Sequence, residues 1–355
     1  MLDGIKNPKF KNKPEEQFNL LNQKNKFSKK KIIWLIFIIL ILIIVGGFIY
    51  KAGFTFSKII NIKDIAWEKI FGKLPSSEYM PPKDEDRINV LFLGIGGEEH
   101  PEGGLLTDSI MIVSFKKSSG QIALISIPRD LYVKMPGENY SNKINSAYVL
   151  GEKKYQNGLD FSKKTLSYVS GLYIDYAVLV DFKAFKEAID ILGGINIYLE
   201  ETFIEDKQWW CDENGQNCRP FIVEAGRQTL DGEKALLYAR SRFSSDDFDR
   251  ARRQQQIMIA VKDKVLSLGI LANPLIINSL FNTVAETIEM DIKPWEIPSL
   301  ITLAQNANTD SIKKKIFDIS EEGLLYQTID NGVYMLLPVE GNFNKLRNTC
   351  QKIFN

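Results

Sequence analysis

The sequence predicts an α/β protein: a mixed central β-sheet covered by helices on both faces, preceded by a single transmembrane helix. Three observations lead there. A charge-free apolar run near the N-terminus is long enough to cross a bilayer. Beyond it, short β-branched and aromatic runs alternate with helical segments, the pattern of strands and helices packed in layers. Two of those runs are joined by the turn-like KKSSG (116–120), so the sheet contains a hairpin and is not purely parallel.

The apolar run spans residues 32–50, IIWLIFIILILIIVGGFIY, between Lys31 and Lys51. As a helix it covers about 28 Å, close to the hydrocarbon thickness of a membrane. A core helix seldom lacks polar residues on every face. A cleaved signal peptide has a shorter apolar region and a small-x-small cleavage site, which this run lacks. An uncleaved anchor is therefore expected. Residues 1–31 carry nine lysines against Asp3, Glu15 and Glu16. The positive-inside rule keeps that basic tail cytoplasmic and puts the rest of the chain beyond the membrane. The expected location is the cell membrane, single-pass. Residues 51–86 form a membrane-proximal segment ending in the Pro/Ser-rich linker LPSSEYMPPKDED, and 87–355 the extracytoplasmic domain.

Composition narrows the function. The 355 residues are 45% hydrophobic, enough for a sizeable core, and the net charge is +1. No global basic field points to nucleic acid. One histidine, His100, leaves no partner for a Ser/His/Asp arrangement, and LGIGGEEHPEGG (93–104) lacks the GK[ST] of a P-loop. Cys211 and Cys218 lie in the polar stretch WWCDENGQNCRP. Outside the cytoplasm such a pair closes a small disulfide loop, the reading preferred here. The rival is a zinc site, which needs more ligands than this stretch supplies. Cys350 has no evident role.

Along the domain, 88–95 (INVLFLGI), 109–115 and 121–127 read as strands. A helix is expected at 159–170, a strand at 176–181, a helix at 182–191 ended by Gly193 and Gly194, and a strand at 195–199. Residues 230–238 read as a short helix and 247–268 as a long one. Residues 272–305 read as mainly helical. Strands at 316–319 and 332–337 and a last helix close the chain.

The chemistry concentrates in YARSRFSSDDFDRARRQQQ (238–256). Arg240 and Arg242 are two apart, so an extended backbone aims both to one side. Asp247, Arg250 and Gln254 share one helix face, which Ile257 and Val261 continue as an apolar stripe. Guanidinium groups are permanently charged planar forks suited to phosphate oxygens, and a helix N-terminus adds positive potential. A solvated helix end laced with Asp–Arg pairs is the plainer alternative. Asp108, Arg129 and Lys143 follow or precede apolar runs, where α/β proteins build sites.

Taken together, SIPRD, KINSAY, the LGG of 192–194, the paired Arg240 and Arg242, and DFDRARRQQQ resemble the motifs of the LytR-CpsA-Psr family of bacterial envelope proteins, in family order over residues 88–265. The resemblance implies an enzyme, a phosphotransferase moving a phosphoryl-glycopolymer from a polyprenyl-pyrophosphate lipid to peptidoglycan. Its expected partners are that lipid-linked glycan, peptidoglycan and the membrane, with no nucleic acid. It implies that Arg129, Arg240, Arg242 and Arg250 hold the pyrophosphate, with Lys143 and Gln254 close by. Asp247 would orient these arginines or act as base, and Asp108 would help hold Mg²⁺. The chain departs from the pattern at LGIG, where Gly96 replaces the family's acidic metal ligand, and at Leu106, where the family has an arginine. Glu98 or Glu99 could substitute, metal dependence could be weak, or, the preferred reading, the metal rests on Asp108 and substrate phosphates. The alternative functions are a non-catalytic lipid-pyrophosphate sensor or scaffold and a transcriptional attenuator. The short basic tail leaves little room for the latter.

Overall fold

The computed structural model describes residues 80–97, 104–210, 219–242, 245–267, 288–296, 300 and 312–355. The expected anchor at 32–50, His100, Glu98, Glu99, Cys211 and Cys218 all lie outside the described residues. No helix among the described residues is long and apolar enough to cross a membrane.

The centre is a six-stranded mixed sheet. Its strands, in chain order, are β1 (Arg87–Gly97), β2 (Gly104–Lys116), β3 (Ile122–Ser126), β6 (Tyr176–Val180), β11 (Ile288–Met290) and β12 (Ile312–Ile316). Their spatial order is β11-β6-β1-β2-β3-β12. β1 and β2, and β2 and β3, run antiparallel; β6 runs parallel to β1, and β12 parallel to β3. Around it lie β4 (Tyr132–Lys134), β5 (Ser141–Lys143), β7 (Ile195–Leu199), β8 (Phe203–Trp210), β9 (Arg219–Val223), β10 (Gly226–Leu230), β13 (Leu325–Asp330) and β14 (Val333–Pro338), in four two-stranded pairs. The described helices are α1 (Ala147–Tyr155), α2 (Gly158–Ser170), α3 (Phe182–Ile191), α4 (Gly232–Arg240), α5 (Asp247–Ser267) and α6 (Asn344–Gln351).

Strand alternation sends side chains to two different layers. Leu91, Leu93 and Ile95 of β1 join Ile112, Ala177 and residues of α1, α2 and α6 in the main core. Phe92, Met111, Val178 and Val180 instead face a space walled by α3, α4 and α5. A second core links α3, β7, β9, β10, α4 and α5. The expectation of helices on both faces is therefore met in the described residues.

Several elements differ from the sequence reading. Leu230 ends a strand, and the helix starts only after Asp231, whose carboxylate accepts from the Lys234 N–H as an N-cap. Within 272–305, read as helical, residues 288–290 pair with β6 as an edge strand and Pro294–Glu296 is a 3₁₀ turn. On either side of the cysteine stretch, Phe203–Trp210 and Arg219–Val223 pair as the antiparallel strands β8 and β9. The closing strands lie at Ile312–Ile316 and Val333–Pro338, a few residues from their expected places.

Cys350 also finds a place. It is fully buried in α6, and its carbonyl accepts 2.9 Å from Arg87 Nη2. The buried Arg87 also donates to the Gln351 carbonyl and to Ser114 Oγ. One guanidinium thus ties β1 and β2 to the carbonyls at the C-terminal end of α6, where positive charge is favoured.

Candidate functional site

The site begins with an irregularity in the sheet. β1 and β2 pair Gly94 with Ser109 but Ile95 with Thr107, so Asp108 is the extra residue of a β-bulge. A bulge bends the strand and re-aims the unpaired side chain. Here it sends the Asp108 carboxylate to Arg129, with Oδ1 2.5 Å from Nη1. It also releases the Asp108 carbonyl from the ladder to accept from Arg250 Nη2 at 3.1 Å.

Arg129 follows β3 and is held from several sides. Its Nε lies 3.1 Å from Asp247 Oδ2 and 3.5 Å from Asp130 Oδ2. Burial works against its charge, but Asp247, Asp108 and Asp130 outweigh that and leave its pKa above the ordinary arginine value. Arg250 is deeper. Burial, its largest influence, pulls its pKa down, partly opposed by Asp247, whose Oδ1 is 3.4 Å from Nη1. Asp247 thus bridges Arg129 and Arg250, the orienting geometry of its two expected roles.

The N-terminal half of α5 divides its polar residues by direction. Arg250 and Gln254 turn to the site, and Ser109 Oγ donates to Gln254 Oε1 at 2.9 Å. Arg252 stays exposed and pairs with Asp249. Arg253 is buried and donates to the carbonyls of Tyr238 and Ser241, at the end of α4. Gln255 reaches the carbonyl of Lys315 and Ser126 Oγ, fastening α5 to β12 and β3. Four successive side chains therefore serve different surfaces, and two of them hold the helix in place.

Arg253 also positions the paired arginines. Arg240 closes α4, and Ser241 leaves the helix with φ −52° and ψ 130°. Both Arg240 and Arg242 then line the same cavity. The Arg240 guanidinium carbon sits 4.4 Å from the centroid of the Phe182 ring, a cation–π contact.

Behind these arginines lies a cavity of about 590 Å³. Asp108, Arg129, Arg240, Arg242, Arg250 and Gln254 stand on its wall, and the rest is largely apolar, including Phe92, Phe185, Ala188, Ile257 and Val261. Two expected site residues are not on that wall. Lys143 is drawn 2.6 Å from Asp130 Oδ1 and lies beside the Arg129 cluster. Asp247 acts through the two arginines it bridges.

Sequence reasoning passed over Asp181. It caps α3 through Oδ1 on the Ala184 N–H and stands on the cavity wall. A β-carbon at Gly97, whose φ is +92°, would lie 3.5 Å from Asp181 Oδ2. A carboxylate therefore does approach the end of β1, where Gly96 replaced the expected acid, but it comes from the junction of β6 and α3. An Asp between an apolar strand and a helix is an N-cap signal, which could have flagged it.

Fold and site define a class: an α/β domain whose bulged strand, strand end and long helix gather arginines at the mouth of an apolar cavity. The chain belongs to the LytR_cpsA_psr family, whose model matches residues 58–352. It is similar to the polyisoprenyl-teichoic acid–peptidoglycan teichoic acid transferase TagT of Bacillus subtilis (strain 168), 27% identical over 70% of this chain and 73% of that protein. The transferase TagV of the same organism is 29% identical over 91% of this chain and 78% of its own length. Among solved structures, TagT bound to LIIa-WTA shares the fold with a TM-score of 0.58 at 23% identity, covering 79% of this chain and 96% of that one.

Proposed function

We propose that this protein is a phosphotransferase that moves a phosphoryl-glycopolymer from a polyprenyl-pyrophosphate carrier to a peptidoglycan hydroxyl. The observation that carries this reading is the junction of charge and apolar space: Arg129, Arg240, Arg242 and Arg250 on the wall of one largely apolar cavity. A pyrophosphate joined to a hydrocarbon chain needs both, side by side. The names of the relatives, teichoic acid transferases acting between a polyisoprenyl carrier and peptidoglycan, agree with it.

In phosphoryl transfer the protein mainly positions the reactants and neutralises charge. The acceptor hydroxyl oxygen forms a bond to the phosphorus nearer the glycan, the bridging P–O bond breaks, and polyprenyl phosphate leaves, taking up the proton that the hydroxyl loses. The arginines would hold the oxygens of both phosphates in planar, charge-assisted hydrogen bonds. Asp247 keeps two of them aimed. Gln254, itself held by Ser109, adds a neutral donor.

Mg²⁺ fits this donor set. Asp108 spends Oδ1 on Arg129, and Asp181 is another carboxylate on the cavity wall. No group of three potential metal ligands gathers among the described residues. Magnesium commonly binds through one or two carboxylates plus substrate phosphates. When bound it would supply charge neutralisation at the phosphates. We further propose that residues 32–50 anchor residues 87–355 outside the cytoplasm in the cell membrane, supported by the apolar run and the lysine-rich tail before it.

The test is incubation of the purified protein with a labelled polyprenyl-pyrophosphate oligosaccharide, peptidoglycan fragments and Mg²⁺. Labelled peptidoglycan should form, and Arg129→Ala and Arg240→Ala should abolish it. Tight lipid binding with no turnover under any divalent ion would refute the transferase and leave a sensor or scaffold.

A further inference from the structure

We propose that Tyr334 of the β13–β14 hairpin is the platform on which the acceptor saccharide binds, on the side of the Arg129 cluster away from the apolar cavity. The proposal rests on the transferase reading above and adds the location of the second substrate.

The hairpin is joined to the site through its backbone. The Leu336 N–H donates to the Asp130 carbonyl at 3.0 Å, and Leu336 forms a bridge with Leu131. Two residues earlier on the same strand, the Tyr334 ring has its centroid 5.8 Å from Lys143 Nζ. That ammonium is 2.6 Å from Asp130, whose other oxygen faces Arg129. A short chain of contacts thus runs from the arginine cluster to Tyr334, a residue 39% exposed. Burial and then the nearby Asp130, Asp247 and Asp246 raise the pKa of the phenol, so it stays neutral, donating to Gln327 Oε1 at 3.4 Å and keeping its oxygen as an acceptor.

Direction decides what this surface would hold. Arg129 lines the cavity, whereas Asp130, Lys143 and Tyr334 do not. In phosphoryl transfer the entering and leaving oxygens lie roughly in line across the phosphorus. If polyprenyl phosphate departs toward the cavity, the attacking hydroxyl arrives from the opposite side. Tyr334, off the cavity wall and beside Lys143 and Asp130, is the exposed aromatic residue nearest to hand on that cluster among the described residues.

The chemistry fits a sugar. An aromatic face carries negative quadrupole charge and attracts the C–H faces of a pyranose ring, while the phenol tip and neighbouring ions meet its polar groups. A lone exposed tyrosine needs no explanation. This one is seated over an ammonium that belongs to the site.

The experiment measures binding, without turnover. Titrate the full chain in detergent with soluble N-acetylglucosamine–N-acetylmuramic acid oligosaccharide, and separately with polyprenyl pyrophosphate. Tyr334→Ala should weaken saccharide binding by about tenfold, and Tyr334→Phe by no more than about twofold, because the ring is kept. Affinity for the lipid should be the same in all three proteins, which also reports that the fold is intact. Equal saccharide affinity in the parent and Tyr334→Ala, or none in the parent, overturns the proposal. A chain that binds saccharide through Tyr334 and transfers nothing would instead sink the transferase reading.

Discussion

The backbone carbonyl of Asp108 accepts a hydrogen bond from Arg250 Nη2 at 3.1 Å, although 142 residues separate them in sequence. The bond exists because the bulge at Asp108 frees that carbonyl from the sheet ladder. It fixes a buried guanidinium to a strand edge and leaves the Asp108 carboxylate for Arg129.

Arg250→Ala should therefore lower transfer by at least about a hundredfold, the order seen when a preorganised charged donor is removed. The neighbouring Arg252 makes only an exposed pair with Asp249. Arg252→Ala should stay within about twofold of the parent in the same assay, since such pairs contribute little. Equal losses from the two substitutions would mean that general positive charge, and not the site geometry, matters.

The cavity makes a prediction about the lipid. Ala188 lines it, on α3. Ala188→Trp fills space that a long tail needs and leaves the arginines untouched. Affinity for a polyprenyl pyrophosphate should fall by about tenfold or more, while a short geranyl pyrophosphate binds nearly as before. Isothermal titration with both lipids gives the comparison.

Arg87 should matter for stability. Its guanidinium donates to two carbonyls of α6 and one hydroxyl of β2, all from a buried position. Arg87→Ala leaves those acceptors unmet and should cost about 2–4 kcal/mol in urea unfolding. A change below about 0.5 kcal/mol would show that water replaces the guanidinium at no loss.

Cys350 supplies a reporter for the same region. Burial pushes its thiol up to about 12, so raising the pH from 7 to 9 creates almost no thiolate in the folded protein. With Cys211 and Cys218 changed to serine, a thiol reagent should label Cys350 only as fast as the domain opens. Arg87→Ala should speed that labelling. Fast labelling of the parent at pH 8 would contradict the burial.

The sequence made the regular parts of this fold legible and hid the parts defined by pairing. The helix at 182–191 and the strand at 195–199 stand where their patterns put them, because Asp181 caps one and apolar alternation marks the other. β11 escaped notice because three residues carry no period, and only β6 beside them makes them a strand. In the site, the dense arginine run at 238–256 draws attention to Arg240, Arg242 and Arg250, and Arg129 draws it by following an apolar strand. Asp108 as a bulge was invisible, because a register shift belongs to two strands at once. Arg253 has no role legible in the sequence, yet three positions beyond Arg250 along α5 it holds the end of α4. Asp181 is a single acid between a strand and a helix, and only the folded arrangement of α3 against β1 puts it on the cavity wall.

α5 carries Arg250 and Gln254 in its early turns and Ile257 and Val261 further on, all on one cavity wall. At the rise of an α-helix, the eleven steps from Arg250 to Val261 measure about 16 Å. On the proposed transferase reading the helix is a ruler, with its zero at the substrate's phosphates and its marks along the hydrocarbon. Gln255 and Arg253 clamp that ruler to the sheet and to α4, so the scale cannot slide against the zero. A lipid is gauged by how far its first apolar units lie from its charged end, and lengthening or shortening α5 by a turn would recalibrate that gauge without altering a single arginine.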